Sequence, residues 1–210
     1  MNFSSKLIEQ AVAEFSRLPG IGKKTALRLV LHLLKQSTET VDIFTQRISD
    51  MRHQIKYCQK CCNISDDVLC NICANTHRKH ETICVVENLR DVIAIESTQQ
   101  YQGVYHVLGG VISPVDGIGP DQLNVQALLN RLQKEPIDEI IMALSPTMEG
   151  DTTIFYLSRK LHEINPSVKI SALARGVAFG GELEYVDELT LARAMATRRP
   201  YEQFLVSPDK

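Results

Sequence analysis

The stretch Cys58-Gln59-Lys60-Cys61-Cys62-Asn63-Ile64-Ser65-Asp66-Asp67-Val68-Leu69-Cys70-Asn71-Ile72-Cys73 decides how the rest of the chain is read. It holds two Cys-x-x-Cys pairs, Cys58/Cys61 and Cys70/Cys73, with eight residues between them. A pair at that spacing turns two thiolates toward one tetrahedral cation. Two such pairs complete a closed site with no position left for a substrate. The filling between them is short and polar and cannot build a core of its own, so bound metal must hold it folded. The expectation is a structural Zn²⁺ on Cys58, Cys61, Cys70 and Cys73. Disulfides fit poorly, because Met1-Asn2-Phe3-Ser4-Ser5-Lys6 has no signal-peptide pattern. Cys62 is in the wrong register for the first pair. Cys84 lies in an apolar run and reads as a buried strand residue, and His77 and His80 are reserve ligands.

On the N-terminal side the pattern is helical. Residues 6–17 place Leu7, Ile8, Ala11, Val12 and Phe15 on one face. Leu18-Pro19-Gly20-Ile21-Gly22 breaks that helix. A second follows from Lys23 to Lys35, with Ala26, Leu27, Val30, Leu31 and Leu34 apolar, and a third over 40–56 carries Val41, Phe44, Ile48, Met51 and Ile55. Gly20 and Gly22 permit a tight turn with exposed backbone amides. The free N–H groups and positive dipole end of the second helix face the same spot. Lys23, Lys24 and Arg28 add side-chain charge. Together these form a helix-hairpin-helix that would hold phosphate and ignore base sequence. Gly22-Lys23-Lys24-Thr25 also looks like the end of a P-loop. That motif needs a glycine where Arg17 stands, a Ser or Thr where Lys24 stands, and a strand where a helix precedes. A plain glycine-closed helical hairpin is the other alternative.

On the C-terminal side strands and helices alternate. Strands are predicted at Ile83–Val86, Tyr105–Leu108, Glu139–Leu144 and Val168–Leu173, with helices over Asn88–Ser97, Asp121–Lys134 and Thr152–Ile164. That order implies a mostly parallel sheet covered on both faces. Residues 175–210 read as a Gly-rich turn, a polar segment, a short helix and a tail. The chain of 210 residues carries a net charge of −2, unevenly spread. Residues 1–83 hold 12 Lys/Arg against 8 Asp/Glu, and residues 84–210 hold 11 against 17. A polyanion would therefore be held by the front of the molecule. No apolar run approaches membrane-spanning length.

Val85-Val86-Glu87-Asn88 puts a carboxylate at the end of a strand, where open α/β sheets hold their ligands. Ile140 to Asp151 ends a second strand with further acids, Glu149 and Asp151. This pairing resembles the Toprim domain of topoisomerases and primases, where a strand-end Glu and a downstream Asp-x-Asp handle Mg²⁺. Here Ser145-x-Thr147 stands in place of the Asp-x-Asp. A hydroxyl pair cannot supply the charge that holds Mg²⁺ on oxygen ligands.

The order of hairpin, four-cysteine module, Toprim-like half, then Leu173-Ala174-Arg175-Gly176 through Gly180-Gly181-Glu182-Leu183-Glu184-Tyr185, resembles the RecR family of bacterial recombination mediators over essentially the whole chain. The resemblance implies an α+β multi-module protein: helix-hairpin-helix 1–56, zinc finger 57–81, Toprim domain 82–174 and C-terminal oligomerisation segment 175–210. It places DNA binding on Gly20, Gly22, Lys23, Lys24 and Arg28, and zinc on Cys58, Cys61, Cys70 and Cys73. The residual acids Glu87, Glu149 and Asp151 could hold a cation weakly, but read better as a polar contact surface for a partner protein. The resemblance also implies a cytoplasmic, nucleoid-associated homo-oligomer, a tetrameric ring that clamps DNA without regard to sequence. With RecO and RecF it would help load the recombinase onto single-stranded DNA coated by single-strand-binding protein, with no catalysis and no membrane. Residues 1–35 and 191–206 are the partly apolar ends available for subunit contact. Two rival readings remain on the residues alone: a Toprim-type Mg²⁺-dependent nuclease or topoisomerase-like enzyme, and a zinc-stabilised scaffold without a DNA role. The six tyrosines show no recognisable nucleophile context.

Overall fold

The structure, a computed structural model, describes residues 5–178, 180–198 and 200. The tail beyond Pro200, and with it part of the apolar end at 191–206, lies outside the described residues, as do residues 1–4. Two compact units divide the chain after Ile55.

The first unit is helical. Helices α1 (Lys6–Ser16), α2 (Lys23–Leu33) and α3 (Thr38–Gln54) follow the predicted order. Ser5 caps α1 and Ser37 caps α3 through their hydroxyls, whereas α2 starts at Gly22 with no side-chain cap. Val12 of α1 packs against Ala26 and Val30 of α2, flanked by Ile8, Ala11, Phe15, Ile21 and Leu27. Leu7 belongs to this face by its spacing, yet it is 77% exposed, and Leu31 and Leu34 also face solvent. α3 buries no residue at all.

The second unit opens with the cysteine module. Strands β1 (Lys56–Tyr57) and β2 (Ile64–Ser65) pair antiparallel, and a single turn, α4 (Asn71–Ala74), follows. Then come β3 (Lys79–Val86), α5 (Leu89–Ser97), β4 (Gly103–Val107), α6 (Val125–Lys134), β5 (Glu139–Met142), α7 (Met148–Ile164), β6 (Lys169–Ala172) and α8 (Glu188–Ala196). The strands β3 to β6 form one fully parallel sheet in the order β4-β3-β5-β6. Inward residues Ile83, Val85, Val104, Ile140 and Met142 pack with Leu128 and Leu132 of α6 and Leu157 and Leu161 of α7. Cys84, Val86, Tyr105 and Val107 face the other way, against Val92 of α5. Near-continuous burial of β4 and of the second half of β3 is what a two-sided parallel sheet demands. Cys84 is 2% exposed on β3, as its apolar run predicted.

Two helices begin elsewhere than the periodicity suggests. The predicted helix over Asp121–Lys134 is broken: a short 3₁₀ turn at Pro120–Gln122 precedes α6, which starts at Val125. Between them, Asn124 turns its side-chain amide onto the Val107 carbonyl (2.9 Å). α7 starts four residues earlier than expected, at Met148, because the Thr147 hydroxyl accepts from Gly150 N–H and caps it. A Cβ on Gly150 would stand 2.0 Å from the Ser145 carbonyl oxygen, so only glycine lets the loop fold onto the helix here.

Candidate metal centre and nucleic-acid interface

The four predicted cysteines converge. The sulfurs of Cys58, Cys61, Cys70 and Cys73 lie within 4.8 Å of one another, and all four residues are buried. Cys61 Sγ and Cys70 Sγ are 3.6 Å apart, close to the edge of a sulfur tetrahedron around zinc. Local backbone bonds build both knuckles. In the first, Cys58 N–H donates to Asn63 O (2.7 Å), Cys62 N–H donates to Cys58 O (2.9 Å), and Cys62 takes a left-handed φ of 61° to close the turn. In the second, Ala74 N–H donates to Cys70 O (2.9 Å), while Cys73 N–H points at Cys70 Sγ.

Four thiols so crowded cannot ionise alike. Hydrogen bonds from Cys61, then Cys73, pull the Cys70 thiol well below its usual range, while the bond to Cys70 pushes Cys61 far up. A divalent cation removes that conflict by accepting all four as thiolates, so the donor set fits Zn²⁺. Cys62 and the reserve histidines stay outside the cluster. His80 instead contacts the Asn75 carbonyl through Nε2 (3.0 Å).

At the hairpin, Gly20 adopts φ +78°, and Ile21 N–H donates to Leu18 O (3.1 Å). The left-handed turn thus requires Gly20. Gly22 has an ordinary φ of −80°, so its glycine character does not serve the turn as the sequence suggests. A Cβ there would meet nothing within 4 Å, which leaves the approach to the α2 N-terminus open. The first intrahelical bond of α2 is Ala26 N–H to Gly22 O, leaving the N–H groups of Lys23, Lys24 and Thr25 pointing outward. Lys23, Lys24 and Arg28 are exposed and take part in no ion pair among the described residues.

The three cations do not share one face. Lys24, Arg28, Leu31 and Lys35 run along one stripe and, with Leu27 and His32, line a shallow depression. Lys23 sits one residue, about 100°, away from that stripe. In the sequence Lys35 reads only as a helix end; its spacing of seven from Arg28 is the signal for its place on this surface.

The Toprim-like crevice lies where strand order reverses, between the C-terminal ends of β3 and β5. Glu87 and Ser145 meet there: Ser145 N–H donates to Glu87 Oε1 (2.6 Å). The Thr147 hydroxyl is occupied as the cap of α7. Asp151 is also engaged. Arg175 donates to both its oxygens, with Nη1 at 2.9 Å from Oδ2, and Arg193 of α8 stands 4.0 Å away. The Arg175 bond holds the Asp151 carboxyl below its usual range. Of the three acids assigned to partner contact, only Glu149 has a carboxylate with no hydrogen bond or ion pair among the described residues.

Comparison with known proteins follows the same divisions. Residues 8–52 match the family described as RecR, helix-hairpin-helix, and 55–75 match the RecR zinc finger domain of the four-cysteine type. Residues 81–174 match the Toprim domain, and 176–199 match RecR, C-terminal. The chain is 60% identical to Recombination protein RecR of Amoebophilus asiaticus, over 96% of this chain and 100% of that protein. It is 57% identical to Recombination protein RecR of Flavobacterium johnsoniae, over 97% and 98%. For the protein of the same name in Bacteroides fragilis the identity is 56%, over 95% and 96%. With four modules matched in order and full-length relatives at this identity, the chain belongs to the RecR family of recombination proteins.

Proposed function

We propose that this chain clamps DNA through the open N-terminus of α2 as a homo-oligomer, a tetrameric ring, and with RecO and RecF helps load the recombinase onto single-stranded DNA coated by single-strand-binding protein. As a RecR protein it is a recombination mediator of DNA repair with a DNA-binding helix-hairpin-helix and no catalytic activity of its own. One observation carries the DNA reading. Of the three described helices of its unit, α2 alone begins without a side-chain cap, beside Lys23, Lys24 and Arg28. Outward N–H groups and a positive dipole end complement a phosphate, the exposed cations on two faces of α2 extend that attraction along a phosphate backbone, and none of these carries base-specific geometry.

Self-association is supported by α3. Phe44, Ile48 and Met51 form a stripe at helical spacing, 41%, 49% and 57% exposed. Such a stripe is stable in water when a second copy covers it. RecO contact is assigned to the Toprim face that carries Glu87, Glu149 and Asp151, with Glu149 the acid most free to reach a partner. No described helix is long and apolar enough to cross a membrane. The assigned DNA role places the protein in the cytoplasm, at the nucleoid.

The test is a titration of the protein against single- and double-stranded DNA of unrelated sequences, at several salt concentrations. Affinity should be indifferent to sequence and fall linearly in log–log form with salt. Strong sequence preference, or affinity independent of salt, would reject the phosphate clamp.

A further inference from the structure

A parallel sheet leaves an edge on each side, and an unguarded edge pairs with another chain. Strand β6 is a short edge of four residues that begins with a lysine, and Lys169 Nζ pairs with Glu139 (3.0 Å). Strand β4 is a different case. It is buried at every residue, and none of its side chains is an acid, a lysine or an arginine. Alternate residues of a parallel strand direct their backbone groups to opposite sides. Leu108 N–H reaches Val86 O on β3 (2.9 Å), so Gly103, Tyr105 and Val107 face outward, away from β3.

Each outward residue is met by a group that is not a strand. Arg78 donates to Gly103 O (3.3 Å), and Arg131 donates to Tyr105 O (2.8 Å). Val107 N–H donates to Cys61 O (2.8 Å), and Asn124 donates to Val107 O (2.9 Å). Two of these four contacts depend on the cysteine module. Cys61 supplies one directly. The other runs through Glu135, which accepts from Arg131 Nε (3.1 Å) and pairs with Lys60 of the same knuckle (3.0 Å).

We propose that the zinc knuckle is the guard of the β4 edge: metal holds Cys61 and Lys60 in place, and metal loss frees Tyr105 and Val107 for pairing with β4 of a second copy. The four cysteines fit Zn²⁺, and the knuckle turn that presents the Cys61 carbonyl has its two sulfurs as anchors. Without the metal, a short polar module has nothing to hold that carbonyl against β4. A released edge with no charged side chain offers no repulsion to its own copy, and two such strands pair isologously.

The experiment compares zinc-loaded full-length protein with protein stripped by a chelator at neutral pH under reducing conditions. Hydrogen exchange is read by strand, and size by sedimentation. Without zinc, residues 103–107 should exchange about tenfold faster or more while residues 139–142 keep their protection, as expected for local opening. The stripped protein should also grow beyond its zinc-loaded size with concentration, and added Zn²⁺ should reverse both effects. Equal loss of protection in β4 and β5, or unchanged protection in β4, would overturn the proposal. So would growth that Zn²⁺ does not reverse. Lys60→Ala leaves the four thiols in place. It should retain zinc yet raise exchange across residues 103–107 by loosening the strand, and unchanged exchange there would overturn the route through Glu135.

Discussion

The helical unit and the sheet unit handle burial in opposite ways. In the helical unit only Val12, Ala26 and Val30 are fully buried among the described residues, and the whole of α3 stays half-covered or exposed. In the sheet unit both faces are dry: Ile83, Val85, Val104 and Ile140 are 0% exposed, as are Leu128, Leu157 and Leu161 beneath the helices. Burial of that extent fixes a shape, and exposure of that extent leaves surface for partners. The sheet unit is therefore the rigid frame. The helical unit carries the uncapped helix end, the exposed cations and the apolar stripe that need something outside the chain.

If this contrast is right, damage to the sheet unit shows first as lost stability. The largest effect is expected from Cys73→Ser. One missing thiolate opens the coordination shell, and the free energy that zinc supplies goes to folding the knuckles and the β4 edge they cover, so a loss on the order of 5 kcal/mol is expected, confined to that part of the unit. Metal analysis and urea unfolding check it: retained zinc with wild-type stability would refute the structural role. Any loss of DNA binding should follow unfolding and not precede it.

The next effect is a pH dependence carried by His106. It is fully buried on β4, and its Nε2–H donates to the Asn124 carbonyl (2.9 Å). Burial pushes its pKa down from 6.5 to about 4, so the folded state holds it neutral. The unfolded chain takes up the proton first. The stabilisation is complete above pH 6.5 and is lost as pH falls toward 4. The loss should reach about 2 kcal/mol at pH 5. Asp151, Glu139 and Glu96 are held below their ordinary range, so the stability they contribute is intact at neutral pH and is lost chiefly below about pH 5, as the unfolded carboxyls take up protons. Urea melts at pH 7 and pH 5, with zinc content followed, should show the drop in wild type and a flatter response in His106→Gln. An equal drop in both would assign it elsewhere.

The sequence was legible where chemistry or periodicity is local. The Cys58–Cys73 spacing marked the cluster, and the strand–helix alternation marked the sheet, because those signals sit within a few residues. It was illegible where tertiary contact decides. Nothing near Asp151 reveals that Arg175, twenty-four residues on, takes its carboxylate. Asn124 breaks a helical pattern because the β4 edge needs its amide, a demand set seventeen residues away. Thr147 and Gly150 read as loop residues because the cap that makes them helix depends on a fold-back against Ser145. On the third helix the apolar spacing was visible, but spacing cannot tell a core stripe from one left for a partner.

The helical unit should respond in binding and hardly at all in stability. Lys24→Ala with Arg28→Ala removes two cations from one stripe. It should weaken binding to all DNA sequences alike and flatten the salt slope by about one unit for each phosphate that loses its cation. Lys23→Ala, on a different face, should have its own smaller effect, additive with the pair. Fluorescence anisotropy across salt concentrations separates these cases. An unchanged slope for the double variant would move the DNA site off α2, to Arg17, Arg47 or Arg52.

The smallest effect tests whether the Toprim face belongs to the frame or to the partner surface. Glu149 lies in the first turn of α7, where a carboxylate gains a few tenths of a kcal/mol from the helix dipole. With no other partner among the described residues, Glu149→Ala should change stability by less than about 0.5 kcal/mol. Asp151→Ala is the contrast, because it strands Arg175 and loosens Arg193, so it should cost more stability than Glu149→Ala does. Binding should order them in reverse if contact with RecO is electrostatic: Glu149→Ala weakens it directly and reduces its dependence on salt. DNA affinity should stay near wild type, since Glu149 carries the wrong charge for a phosphate contact. A Glu149→Ala protein that lost DNA binding and kept RecO binding would show that this face touches DNA and not RecO.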